Sequence, residues 1–229
     1  MNREIIHSPA PTLLVGGGKS SPELLKALLP LCKTRVAADG GAATLLRAGA
    51  MPDAVIGDLD SLPASARAQI PAERIHHIPE QNSTDFDKCL RNIAAPLVYG
   101  TGFLDPRIDH QLAALTVLAK RANRRCILAG TEDVMALSPP EITLDLPPGT
   151  RFSLYPMGPV RGESEGLRWP LAGLDFAPQH RAGTSNETSV ARVSLRFEAP
   201  LMLIILPLAQ LPALASGLLS APEAWPARG

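Results

Sequence analysis

The sequence predicts an α/β protein with an N-terminal, mainly parallel sheet carrying helices on both faces, followed by a C-terminal all-β sandwich. Three observations carry this. Short apolar runs alternate with helical patterns up to about residue 130, which is the rhythm of parallel strands joined by crossover helices. The glycine and acidic turns in that half all follow strands, at the edge where open α/β sheets bind ligands. From about Glu141 the helical period disappears, and short strands separated by Pro and Gly turns take its place. The expected boundary gives domains of 1–138 and 139–229.

Composition narrows the function. The chain has 229 residues, and its 22 basic and 22 acidic side chains cancel, so no broad field draws nucleic acid or an anionic membrane surface. A small-molecule partner is expected instead. Cys32, Cys89 and Cys126 lie far apart, without metal or redox spacing, and are read as reduced thiols of a cytoplasmic protein. The opening MNREIIHSPAPTLLVGGG lacks a charged segment followed by an uninterrupted apolar core, and Leu201–Leu206 is too short for a bilayer, which needs about 20 residues.

Thr12–Val15 reads as a buried strand entering Gly16, Gly17 and Gly18, and Ser21, Pro22 and Glu23 start a helix as N-cap, first helical residue and first-turn acid. Gly18-Lys19-Ser20 resembles the end of a phosphate-binding P-loop, but the required upstream glycine is Leu13, inside the strand. Arg35–Ala38 is the second strand. Asp39, Gly40 and Gly41 turn it into a helix, 42–48, that Gly49 ends. Ala54–Ile56 then opens on Gly57, Asp58, Leu59, Asp60 and Ser61. Two carboxylates one residue apart reach a common cation when the backbone between them bends, and Mg²⁺ favours a few carboxylates plus phosphate oxygens.

Arg74–Ile78 is expected as a strand whose adjacent His76 and His77 point to opposite faces, which argues against joint metal ligation. Ser83 or Thr84 caps the next helix. Asp85 and Lys88, three apart, share a face of it and offer one group for a metal and one for a phosphate; an ordinary ion pair is the competing reading. Leu97–Tyr99 is a strand, and Arg107, Asp109 and His110 stand at the entrance of an amphipathic helix, 111–120, where an arginine suits an anion. Asp109 is either a further carboxylate for the metal or a helix N-terminal acid. Arg125–Ala129 ends the alternation. Beyond it, strands are expected at 142–146, 151–155, 166–169, 190–197 and 201–206, with Thr184–Glu187 as a hairpin turn and the Pro-rich tail after Leu206 as peripheral. Trp169 is either core or a platform for a flat cationic ligand.

Six segments taken together, ADGGA (38–42), PDAVIGDLDS (52–61), QNSTDFDKCL (81–90), RIDH (107–110), GLRWPL (166–171) and GTSNE (183–187), resemble thiamine pyrophosphokinases in identity, order and spacing. The resemblance implies transfer of the pyrophosphoryl group of ATP to thiamine, giving thiamine diphosphate and AMP. It implies Mg²⁺ held by Asp58, Asp60 and Asp85, with Asp109 as a further catalytic carboxylate. ATP would be met by Asp39, Gly40, Gly41, Lys88, Arg107 and His110, and thiamine by Gln81, Trp169, Ser185 and Asn186. It also implies that the first domain is the catalytic, ATP- and Mg²⁺-binding one, and that the second binds thiamine and forms a homodimer with sites shared between chains. A pterin-alcohol pyrophosphokinase and a non-catalytic nucleotide or vitamin sensor are the alternatives on the same fold. A haloacid dehalogenase type phosphatase fits less well, because it lacks a credible later acidic pair and leaves the β-rich half unexplained.

Overall fold

The computed structural model describes residues 4–104 and 106–227; residues 1–3, 105 and 228–229 lie outside the described set. The chain divides into two compact units. One runs up to Val117 and includes Leu128–Thr131; the other holds Leu118–Ile127 and the chain from Glu132 onward.

In the first unit, β1 (Ile6–His7) pairs in parallel with β6 (Ile93–Ala94) as a small separate sheet. The main sheet contains β2 (Thr12–Val15), β3 (Thr34–Ala38), β4 (Ala54–Gly57), β5 (Ile75–His77), β7 (Val98–Thr101) and β8 (Cys126–Ala129), in the order β8-β7-β2-β3-β4-β5. The registered pairs among β7, β2, β3, β4 and β5 are all parallel. β2, β4, β7 and β8 are buried along their whole lengths, as strands covered on both faces must be. The connecting helices are α1 (Pro22–Leu28), α2 (Gly41–Arg47), α3 (Ala64–Arg67), α4 (Asp85–Arg91) and α5 (Ile108–Lys120).

The local signals explain the helix starts. Ser21 accepts from Leu24 N with Pro22 in the first turn, and Thr84 caps α4 through Asp87 N. Gly49, at φ +72°, follows α2 in the left-handed conformation. After β5 the chain returns to the other side of β2, so strand order reverses between β2 and β7. That switch point opens a crevice at the C-terminal ends of the strands.

The second unit contains two antiparallel sheets. β13 (Gly183–Glu187), β11 (Arg151–Pro156), β15 (Met202–Pro207) and β9 (Asp133–Leu137) lie in that order, and β10 (Glu141–Asp145), β14 (Arg192–Phe197) and β12 (Gly162–Glu165) form the other. β10 alternates exposed and buried residues, the mark of a sheet with one solvated face.

Three expectations in this half are corrected. The 166–169 segment is not a strand: Gly166 sits at φ +83°, and only an isolated bridge joins Leu167 to Thr188. Its place as a strand is taken by β12, whose polar GESE sequence carries no apolar alternation. The TSNE cluster belongs to strand β13 rather than to a turn, because it pairs with β11. The tail is not peripheral. It forms α6 (Leu211–Ser220), which buries Leu211, Leu214, Ala215 and Leu218 and packs Gly217 against Leu144 and Thr143 of β10. Pro212 is tolerated because it stands in the first turn, where no intrahelical N–H bond is lost. Among the described residues no helix is long and apolar enough to cross a membrane.

Candidate active site

The crevice of the first unit encloses a cavity of about 700 Å³. Its floor comes from strand ends. Asp39 follows β3 in a positive-φ conformation (φ +44°), which aspartate tolerates better than most side chains. The turn after β4 bends at Leu59 (φ +66°), so Asp58 and Asp60 flank a left-handed residue. Gly57 leaves room for Asp39 and Asp85: a Cβ there would lie 3.1 Å from Asp39 Cβ and 3.1 Å from Asp85 Oδ1.

Asp39, Asp58 and Asp60 each offer a carboxylate oxygen, and the three lie within 4.8 Å of one another. Asp39 is 2% exposed. One of its oxygens accepts from Ser61 N at 3.0 Å, while Oδ1 is buried with no hydrogen-bond partner. A buried carboxylate oxygen without a donor is costly, and a cation relieves that cost. Burial, followed by the charges of Asp85 and Asp60, pushes the Asp39 carboxyl up to about 6 despite the Ser61 bond. The donor set is all oxygen, which suits a hard divalent cation.

Lys88 stands beside this group. It is 1% exposed, and its Nζ lies 3.2 Å from Asp58 Oδ2 and 3.1 Å from Asp85 Oδ1. Burial alone would lower its pKa, but the bonds to Asp85 and Asp58 outweigh that and hold it above the ordinary lysine value. Gln81 donates to the same Asp58 oxygen at 3.1 Å. Burial opposes ionisation of Asp58, yet the Lys88 and Gln81 bonds keep its carboxyl below the usual range. The cluster is a fixed array of anions around one buried cation, arranged so that a metal-bound polyanion can replace some of its contacts.

The expected residues divide accordingly. Asp39, Gly40, Asp58, Gln81, Asp85, Lys88, Arg107 and His110 all line the cavity. Asp85 faces Lys88 and is absent from the converging carboxylates, where Asp39 stands instead. Asp109 is also outside that group: its carboxylate is taken by Arg107, with Nε to Oδ1 at 3.1 Å, and both side chains are exposed. Gly41 packs rather than lines, since a Cβ on it would lie 2.0 Å from Val15 O. The sequence reading assigned Asp39 to a nucleotide turn, and the structure places its carboxylate beside those of Asp58 and Asp60. Its signal was an aspartate directly ahead of two glycines at a strand end.

The remaining candidates cluster in the second unit. Asn186 clamps the backbone of Trp169, accepting from its N–H at 3.2 Å and donating to its carbonyl at 2.8 Å. The indole is 53% exposed, with the Arg168 guanidinium 4.8 Å from its ring centre. Ser185 occupies a left-handed position (φ +61°) and donates its backbone N–H to Ser153 Oγ at 3.0 Å. An aromatic face held in place this way is suited to a flat cationic ring.

Residues 25–128, which include the whole acidic group and Lys88, match the thiamin pyrophosphokinase catalytic domain. The likeness to thiamine pyrophosphokinases at the level of the family covers that stretch, a little under half of the chain. Thiamine pyrophosphokinase 2 of rice (Oryza sativa subsp. japonica) is 25% identical over 239 residues, covering 86% of this chain and 88% of the rice protein. Yeast thiamin pyrophosphokinase shares the fold at a TM-score of 0.73 and 18% identity, over 95% of this chain and 90% of its own. The Bacillus subtilis thiamine pyrophosphokinase does so at 0.70 and 22%, over 86% and 98%.

Proposed function

We propose that this protein is a thiamine diphosphokinase that transfers the pyrophosphoryl group of ATP to the hydroxyethyl oxygen of thiamine, releasing AMP. The observation that carries the reading is the buried, unpartnered Asp39 oxygen facing Asp58 and Asp60 beside Lys88. Asp39, Asp58 and Asp60 would hold Mg²⁺, with Asp85 completing its surroundings. When bound, Mg²⁺ supplies charge neutralisation on the polyphosphate oxygens.

The chain's own groups then act by position and charge. Lys88, already poised between two carboxylates, shifts its donors toward the transferring phosphoryl oxygens as negative charge accumulates there. Arg107 and His110 at the cavity wall meet the nucleotide, and the Asp39-Gly40 turn brings backbone close to it. Gln81 orients Asp58 and the acceptor. One of the aspartates takes the proton of the thiamine alcohol late in an in-line attack at the β-phosphorus.

In this reading residues 1–138 are the ATP- and Mg²⁺-binding domain and 139–229 the thiamine-binding and dimerisation domain. Trp169, Ser185 and Asn186 position the thiamine rings across the interface of a homodimer. Three free, buried cysteines support a cytoplasmic setting.

The test is incubation of the purified protein with ATP, Mg²⁺ and thiamine, followed by chromatographic separation of the nucleotides and thiamine species. Equal amounts of AMP and thiamine diphosphate are expected. ADP with thiamine monophosphate would overturn the β-phosphorus assignment, and product formed only with a pterin alcohol would overturn the substrate.

A further inference from the structure

We infer that Arg47 is the site's second phosphate-binding residue, taking a phosphate group that the acidic cluster does not hold. The inference deepens the nucleotide reading of the cavity and rests on it. Three cations line the cavity: Arg47, Lys88 and Arg107. Lys88 is shared by Asp58 and Asp85, and Arg107 is paired with Asp109. Among the described residues Arg47 has no carboxylate partner, so its charge is the one not already offset within the protein.

Its orientation is set locally. Arg47 and Thr44 lie three apart and share one face of α2, while Ala42 and Leu45 on the opposite side are fully buried. Thr44 Oγ1 accepts from Arg47 Nη2 at 3.0 Å, and both residues line the cavity. That single bond uses one of five guanidinium N–H donors and leaves the rest for a ligand. Helical rise puts Arg47 about 9 Å along α2 from Gly41, the first helical residue after the Asp39 turn. A cation at that remove meets a different part of an extended polyphosphate from the part bound at the carboxylates. The planar fork of arginine matches the geometry of phosphate oxygens, which a lysine at the same place would meet only as a point charge.

Arg47 also stands in the last turn of α2, where a positive charge favours the helix dipole without any ligand. The experiment separates the two. Dissociation constants are measured calorimetrically for wild type, Arg47→Gln and Arg47→Lys with AMP, with the Mg²⁺ complex of α,β-methylene-ATP, with thiamine diphosphate, and with adenosine as a ligand lacking phosphate. Arg47→Gln is expected to weaken at least one phosphate ligand by about 10- to 100-fold, with Arg47→Lys recovering part of the loss and adenosine unaffected.

Weakening of AMP and the methylene analogue assigns the α-phosphate, and weakening of the analogue alone assigns the β- or γ-phosphate. Weakening of thiamine diphosphate alone assigns the product diphosphate. Unchanged affinity for every phosphate ligand, an equal loss for adenosine, or wild-type protein that binds none of them overturns the inference. Tight phosphate binding that depends on Arg47, in a protein that forms no thiamine diphosphate, would leave this inference standing and remove the proposed activity.

Discussion

At the scale of single residues, Asp39 decides most of the site's behaviour. Its carboxyl is pushed up to about 6 from an ordinary 3.8, first by burial. A carboxyl that holds its proton more tightly folded than unfolded makes the chelator-treated protein less stable as pH rises from about 4 through about 6, with no further change from this group above that. A cation competes for the same oxygen as the proton. Mg²⁺ affinity should therefore be level above pH 6 and fall by up to about tenfold per pH unit below it, measured by calorimetric titration. Asp39→Asn should lower turnover by about two orders of magnitude or more and leave the chelator-treated protein at least as stable as wild type. A variant that loses stability but keeps its Mg²⁺ affinity would rule Asp39 out as a ligand. Asp39 was visible in the sequence only as a turn residue. Its burial comes from the Gly57 gap and the Ser61 amide, which lie 18 and more positions away along the chain.

At the scale of elements, the helices are placed by close contacts as much as by their caps. α2 begins at Gly41, where a Cβ would lie 2.0 Å from the Val15 carbonyl of β2. Gly41→Ala must push α2 off the sheet. It should cost about 1–3 kcal/mol in urea unfolding and also raise the KM for ATP, because Asp39 and Arg47 flank the displaced segment. A stable variant with wild-type KM would show that the contact relaxes freely. At the other end of the chain, Leu214 of α6 is fully buried. Leu214→Ala should cost about 2–5 kcal/mol, read from the same unfolding curves, whereas a peripheral tail would register almost nothing. The sequence reading undervalued α6 because four prolines crowd the tail, yet only Pro212 falls within the helix, and there in its first turn.

At the scale of the whole molecule, the two units carry different chemistry: acidic carboxylates and a buried lysine in one, an exposed indole pinned by an asparagine in the other. Trp169→Ala should raise the KM for thiamine by about tenfold and leave that for ATP unchanged, since it removes only a cation–π platform. Equal effects on both substrates in steady-state kinetics would argue against a divided site. The strand-helix alternation, the glycine turns and the acidic pairs are local, so the parallel sheet, the crevice at its strand ends, and the placing of Asp58, Asp60, Gln81 and Lys88 beside that crevice were legible in the sequence alone. Local pattern also sufficed for most strand boundaries, because buried parallel strands are short unbroken apolar runs. Tertiary structure alone decided the rest. Which carboxylates converge depends on how β3 and β4 bring their ends together, so Asp39 joins the cluster while Asp109 pairs with Arg107. Which polar segments become strands depends on their partners: GESE and GTSNE carry no apolar period, and backbone hydrogen bonds to β14 and β11 make them β12 and β13. Burial and pairing are properties of neighbours in space, and a single chain read in order does not contain them.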